Sequence, residues 1–355
     1  MRFYISRLLA LLLLISTAIY MTAYTEPLFF NDKVDKAIIK AFIKDSIPVE
    51  IDLIYDNDSL PDQYYSYIET PVCEKGICYD LKVHLYWDLL GNFVNYKEVA
   101  SDPFTKYEHE LFTAEDHSKL RKILADKTSP LANYNPEDLV DKSKTLYSPL
   151  IDAVVGATYP ALKSSVVPGA VYSTHTLWNI VNGTLADKIK AYTIAHSNEA
   201  VLLKMAHSSS KDLQLYALRN LDTASTSYPK VLIQLVKDGI DYVPYFAIAK
   251  ITQEMWLDAS LQNELISLLA TTDFEMQNEI LNGLSATQLS ASNTAVLLDQ
   301  YISLEESQYK KLTSILKNNI AHFSHKEIKT LQKIAAETNN TFAHFANELL
   351  KSKTE

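Results

Sequence analysis

The stretch "LKVHLYWDLLGNFVNYKEV", residues Leu81 to Val99, decides what kind of domain opens this chain. Its apolar residues recur at alternate positions, and a β-strand is the backbone that sends alternate side chains to opposite faces. Leu81, Val83, Leu85 and Trp87 therefore share one face, and Gly91-Asn92 reads as the turn into a second strand. Such alternation implies a sheet with one face buried. Upstream, "PVEIDLIY" from Pro48 to Tyr55 has the residue types of another strand. Before it, Val34, Ile38, Ile39, Phe42 and Ile43 fall at helical spacing behind Asp32, which predicts a helix capped by that aspartate. Downstream, Thr113 followed by Asp116 marks a helix start, and Asn135-Pro136 with two acidic residues after it marks a second.

Beyond Thr184 the strand pattern stops. Short amphipathic segments take over: "DLQLYALRNL", "VPYFAIAKITQEM", "MQNEILNGL", "QYKKLTSILKNNI" and "TFAHFANELL". They recur at roughly 30 to 35 residues, the range of helix-pair repeats. No tetratricopeptide or ankyrin signature is present, so the segment resembles HEAT-like repeats by period and helix length, with an irregular bundle as the alternative. The fold class is then an α+β N-terminal domain, residues 30–183, followed by an all-α helical repeat array, residues 184–355.

Composition limits the partners. A chain of 355 residues exceeds what one core usually organises, which predicts two domains. With a net charge of −10 and no basic tract, nucleic acid is excluded as the partner, because its binding draws on clustered Lys and Arg. Residues 1–24 begin with Arg2 and Arg7 and continue as an apolar run from Leu8 to Met21, the pattern of an export signal or of an uncleaved membrane tether. The remainder is expected outside the cytoplasm, periplasmic or associated with the cell envelope. In that compartment Cys73 and Cys78, the only cysteines, suggest a short disulfide loop around Gly76.

Glycine is scarce, seven in all, yet Gly156, Gly169 and Gly183 fall close together, so unusual backbone geometry is expected there. The first of them belongs to "IDAVVGATYP", of the form Asp-x-x-x-Gly-Ala-Thr: Asp152, Gly156, Ala157, Thr158. This resembles the flavinylation sequence of the FMN-binding domain family, the exported subunits of sodium-pumping quinone reductases and Rnf-type complexes. The resemblance implies FMN linked through its phosphate to the Thr158 hydroxyl by a flavin transferase, with Asp152 read by that enzyme. Val155 stands where the family has Ser or Thr. Small neighbours would let the backbone approach the phosphate, and a helix from about Ala161 would offer it free N–H groups. The implied function is electron transfer between redox partners. The alternative is a scaffold without flavin that binds an envelope protein through its helical repeats, with Gly156-Ala157-Thr158 a turn.

Other constellations are less specific. "YEHELFTAEDH" holds His109, Glu110, Asp116 and His117, which straddle a helix start, where capping and solvation are their simplest roles. His84, His175, Trp87, Trp178 and Tyr172 are the residues able to touch a flavin ring, or else ordinary core. No Ser-His-Asp or Cys-His order, H-E-x-x-H or Gly-rich phosphate loop is present, so hydrolase and nucleotide-dependent chemistry have no support.

Overall fold

The computed structural model describes residues 33–72, 80–106, 109–135, 138–146, 155–158, 160–337 and 339–354. Contacts divide the chain into two compact units between Tyr192 and Thr193. Cys73, Cys78, Asp152 and the apolar segment at the start lie outside the described residues. Among the described residues no helix is long and apolar enough to cross a membrane.

The first unit is built on five strands, β1 (Val34–Ile43), β2 (Ile47–Tyr55), β3 (Pro61–Pro71), β4 (Asp80–Trp87) and β5 (Phe93–Glu98). They lie side by side in sequence order, each antiparallel to the next, so the described sheet is a meander with no parallel pair. Val83, Leu85 and Trp87 are fully buried, as the alternation in β4 requires. The turn after β4 is held by Asp88, whose carboxylate accepts the N–H groups of Leu90 and Asn92 at 2.8 Å each. Gly91 has φ +72°, and a Cβ there would stand 2.4 Å from the Ala186 carbonyl oxygen. Helix α1 (Ala114–Ala125) starts at the expected Thr113–Asp116 capping box and buries Leu120, Ile123 and Leu124. Helix α2 (Val171–Asn182) supplies the Val181 carbonyl that accepts the buried Trp87 indole N–H at 3.0 Å.

Three expectations are corrected. Residues 34–43 are β1, not a helix. Its ladder is interrupted between Asp35 and Ile39, where Ala37 takes φ 52° and its N–H donates to Asp52 Oδ1 at 2.8 Å. This bulge shifts the alternation out of phase, so apolar residues spaced for a strand counterfeit helical spacing. The turn into β2 is disguised as well, because Lys44 and Asp45 adopt the left-handed conformation usually given to Asn or Gly. The described residues that follow Asn135, as far as Leu146, form no α-helix. Asp138 accepts the Asn135 N–H at 3.3 Å and closes one turn, then Leu139 is buried and strand β6 (Val140–Leu146) begins. Strand β7 (Val155–Thr158) pairs antiparallel with β6. Finally, the residues from Pro160 to Ser165 form a 3-10 helix, and the α-helix waits until Val171.

Helix α3 (Thr184–His196) crosses the boundary between units. Its first half belongs to the sheet unit: Ala186 backs Gly91, and Tyr192 meets Tyr64 edge-on at 6.4 Å. The structural boundary therefore falls beyond Gly183, where the glycine and the change of pattern had suggested it.

The second unit is helical throughout its described residues: α4 (Glu199–Ala206), α5 (Lys211–Asn220), α6 (Tyr228–Asp238), α7 (Val243–Ile248), α8 (Gln253–Leu257), α9 (Ala259–Leu268), α10 (Phe274–Ser285), α11 (Ala291–Asp299), α12 (Glu306–Asn318), α13 (His325–Ala336) and α14 (Ala343–Thr354). Sequential helices pair as hairpins: α4 with α5, α6 with α7, α9 with α10, α11 with α12 and α13 with α14. Helices two apart in this scheme also touch. One row runs α4, α6, α9, α11 and the other α5, α7, α10, α12, α14. Such a pattern, in which the main contacts of each hairpin are with its neighbours, is that of a stacked array.

Buried glutamines tie each row together. Gln262 Nε2 donates to the Trp256 carbonyl at 2.8 Å and to the Gln288 carbonyl, 26 residues on, at 3.1 Å. Gln277 Nε2 donates to Leu269 at 2.8 Å and to Ser303, again 26 residues on, at 3.0 Å. Gln214 donates to Ser208 at 2.9 Å and accepts from the Ile240 N–H, the same 26 residues on, at 2.8 Å. Each glutamine sits in the first turn of its helix and fastens it to the loop that leads into the next helix of the same row. Loop backbone buried between hairpins would otherwise leave polar groups unpaired.

Candidate functional site

The structure describes three of the four residues of the Asp-x-x-x-Gly-Ala-Thr stretch. Gly156, Ala157 and Thr158 are the last three residues of β7, an extended strand rather than a turn, with Thr158 opposite Val140 and Ala157 opposite Asp141. The backbone beyond Thr158 differs from the expected phosphate cradle. Pro160, which has no N–H, opens a 3-10 helix, and Ala170 ahead of α2 makes no side-chain capping bond. Lys119 of α1 donates to the Lys163 carbonyl at 2.8 Å, so the 3-10 turn rests on α1. The described residues therefore do not fit a helix-start phosphate site.

The residues of "YEHELFTAEDH" divide between two structural tasks. Lys106 Nζ lies 3.1 Å from Glu110 and 3.0 Å from Asp116. Asp116 also accepts the Thr113 N–H at 2.9 Å, and this hydrogen bond with the Lys106 ammonium holds its carboxyl below the usual range. His117 faces the other way: its Nδ1 is 2.6 Å from the Tyr96 hydroxyl and its Nε2 is 3.4 Å from Glu98. Glu98 in turn accepts the Phe104 N–H. The rings of Phe104 and Phe112 close over this chain of contacts, and Arg121 sits 4.8 Å above Tyr96. Burial pushes the Tyr96 phenol far above its ordinary range, so it stays protonated. The arrangement locks α1 onto β5. Among the described residues no group of His, Cys, Asp and Glu is placed to hold a metal.

The aromatic candidates are likewise accounted for by packing. Trp87 and Trp178 are buried, and the Trp178 indole donates to the Asp126 carbonyl at 2.9 Å. His175 is buried with Nε2 donating to the Tyr134 carbonyl at 2.7 Å, and Tyr172 is half-buried on the same helix. His84 lies on the outer sheet face beside Tyr65, whose hydroxyl reaches its Nδ1 at 2.8 Å; burial lowers its pKa.

A different surface emerges in the second unit, where the helices of one row begin. Tyr242 is 48% exposed, Phe246 50%, Phe274 38% and Ile302 75%. Tyr242 precedes α7 and Phe246 lies within it, Phe274 opens α10, and Ile302 lies in the 3-10 turn (Gln300–Ser303) ahead of α12; these three helices are consecutive in that row. Their positions are fixed by neighbours. Lys211, at the start of α5, lies 5.0 Å over the Tyr242 ring and 3.1 Å from Asp241. Tyr242 meets Phe246 edge-on at 5.6 Å. Tyr245 donates to both carboxylate oxygens of Asp273 at 3.1 Å, while Asp273 caps α10 through the Met276 N–H at 2.8 Å. Gln308 of α12 donates to the Phe274 carbonyl at 3.3 Å, and the Ser303 carbonyl beside Ile302 is held by Gln277.

The rim of this ridge is acidic. Asp241, Asp273, Glu275, Glu279, Glu305 and Glu306 are all exposed. Burial raises the Tyr245 pKa, and so do the Asp273 hydrogen bond and the charges of Asp273, Glu275 and Glu279. Of the cations beside them, Lys211 is engaged with Asp241 and Lys311 with Asn278 Oδ1 at 3.2 Å. Sequence reading passed over these residues because amphipathic periodicity predicts which helix face is buried and is silent on apolar residues at the first turn. No protein-family model matches this chain, and neither a curated protein nor a solved structure gives a significant match.

Proposed function

We propose that this is an exported binding protein whose second unit is a HEAT-like scaffold for a partner protein. The observation that carries this reading is the line of exposed apolar residues, Tyr242, Phe246, Phe274 and Ile302, along successive helix starts of one row. Stacked helix pairs present extended surfaces that suit such a task. The Tyr242 and Phe246 rings, packed edge-on with Lys211 over Tyr242, lose little freedom on binding, and aromatic residues of this kind supply most of the energy of protein interfaces. The period also agrees with a repeat: Lys211 to Val243, Ala259 to Ala291 and Phe274 to Glu306 are each 32 residues from one helix start to the next in its row.

A photo-crosslinking side chain placed at Phe246 or Phe274 in the producing cell tests this reading. Discrete protein adducts are expected from those positions and not from Glu264, an exposed position in the other row. Absence of adducts, or the same products from all three, refutes it. Electron transfer by FMN on Thr158 is a second reading, supported by the Asp152–Thr158 spacing. Intact mass and a visible spectrum after co-expression with a flavin transferase test it.

A further inference from the structure

We infer that the partner segment seated on this ridge is a basic amphipathic helix, an inference that rests on the scaffold reading above. Two features of the ridge select it. The first is charge: Asp273, Glu275, Glu279, Glu305 and Glu306 flank Phe274 and Ile302, while Asp241 and Lys211 beside Tyr242 pair with each other, Lys311 donates to Asn278, and Lys250 is the exposed cation that follows Phe246. Lys310 is exposed one turn after Glu306 and is the remaining cation on that stretch of α12. A segment carrying Lys or Arg on either side of an apolar stripe meets opposite charge around Phe274 and Ile302, and like charges would be repelled.

The second feature is spacing. Phe246, Phe274 and Ile302 belong to α7, α10 and the approach to α12, and packed helices lie about 8–10 Å axis to axis. Seven residues of α-helix rise about 10.5 Å and return to nearly the same face. Three residues of β-strand cover about 10 Å but end on the opposite face. A helix with apolar residues at heptad intervals therefore meets successive hairpins with one stripe, and an extended strand does not. Binding of an amphipathic helix through such regularly spaced anchors is a recurring recognition mode.

The test uses the full chain and synthetic peptides. The probe is an 18-residue helical peptide with Leu at heptad a and d positions and Lys elsewhere; its controls are the same peptide with Glu for Lys and a Lys-flanked polyproline peptide. The protein variants are F246S/F274S, the ridge pair E275K/E305K, and the charge-matched pair E264K/D299K in the other row, all at exposed positions and checked for unchanged circular dichroism. The Lys peptide is expected to bind in preference to both controls. Affinity should fall at least tenfold in F246S/F274S and in E275K/E305K, and less than threefold in E264K/D299K. Equal losses in the two charge-reversed pairs, or no loss in F246S/F274S, would reduce the interaction to attraction by net charge and overturn the inference. Stronger binding of the polyproline or Glu peptide would overturn the helix or its basic character. Crosslinked adducts at Phe246 with no preference for the Lys peptide would leave the scaffold standing and this inference refuted, whereas loss of both would sink the two together.

Discussion

Replacing Gln277 by Glu isolates what the buried amides do for the array. The Gln277 amide nitrogen donates to two carbonyls, Leu269 at 2.8 Å and Ser303 at 3.0 Å, and the side chain is nearly buried. Gln277→Ala removes both donors and leaves the carbonyls without them, which costs about 2–3 kcal/mol. For a unit of this size that lowers its melting temperature by about 4–12 °C. Gln277→Glu keeps the shape but aims a carboxylate at the two carbonyls, so it is expected to cost more than alanine at pH 7. The carboxyl responds by remaining protonated, which raises its folded-state pKa above an unfolded value of about 4.3. The sign is then fixed: below the unfolded pKa only the loss of one of the two donated bonds remains, because the neutral acid can donate the other, and the penalty grows as pH rises through that value. Gln214 provides the contrast, because its amide donates to one carbonyl, Ser208 at 2.9 Å, rather than two, and its Oε1 accepts the Ile240 N–H at 2.8 Å, a bond a carboxylate would keep. Urea melts followed by far-ultraviolet circular dichroism at pH 4 and pH 7 should therefore show a steep pH dependence for Gln277→Glu and a shallow one for Gln214→Glu. Equal costs and equal slopes for the two would refute the donor and acceptor assignment.

Three further outcomes are expected. Asp116→Asn keeps an oxygen that can accept the Thr113 N–H but should lower the stability of the sheet unit by about 0.5–1 kcal/mol through loss of the negative charge at the helix start and of the Lys106 ion pair; because the Asp116 pKa is depressed, the wild-type advantage is present above about pH 4 and lost as pH falls through the folded value, which acid titration of both proteins would reveal. Gly283→Ala should destabilise the array by about 1–3 kcal/mol, since its Cβ would meet the Trp256 ring at 2.1 Å; a shifted tryptophan emission maximum accompanies the loss, and unchanged emission with unchanged stability would contradict the close packing. Thr158→Ala should leave the intact mass of protein co-expressed with a flavin transferase free of any flavin increment, and an increment that persists in the variant would place the flavin elsewhere.

How much of the sheet unit could be read in advance depended on whether backbone irregularity interrupted the pattern. β4 pairs with β3 without a shift, and its one irregularity, at Tyr86–Trp87 against β5, falls at its end, so Leu81, Val83, Leu85 and Trp87 announced both its existence and its buried face. In β1 a bulge held by Asp52 displaced the phase of the alternation, and no residue type marks a bulge whose left-handed position is filled by alanine. The capping signal at Thr113 was sound because α1 has an apolar face to bury behind it. The similar signal at Asn135 closed one turn, since Val140 onward pairs with β7. Local capping chemistry thus starts helices only where the following residues have a helical face to offer. The candidate site at Thr158 was read from spacing alone, which fixes identity and order but not the extended backbone that β6 imposes on Gly156–Thr158.

The array shows the complementary case, a signal present in the sequence but written in polar residues. "SKDLQ", "DASLQ" and "DFEMQ" share one pattern, Ser or Asp, two residues, Leu or Met, then Gln, at 210–214, 258–262 and 273–277. The first residue caps the helix and the last is the buried glutamine that reaches 26 residues ahead. A search for apolar periodicity discards these positions as ordinary helix starts, because Gln is usually exposed. Their burial follows from the architecture: each hairpin buries the loop of the next, and an amide that can donate or accept suits whichever backbone group that loop presents. The same packing brings successive helix starts into line and leaves their first-turn side chains at the rim. Tyr242, Phe246, Phe274 and Ile302 are therefore exposed by the device that holds the row together, and a variant that loosens the Gln277 clamp should weaken partner binding at Phe274 and Ile302 before it unfolds the array.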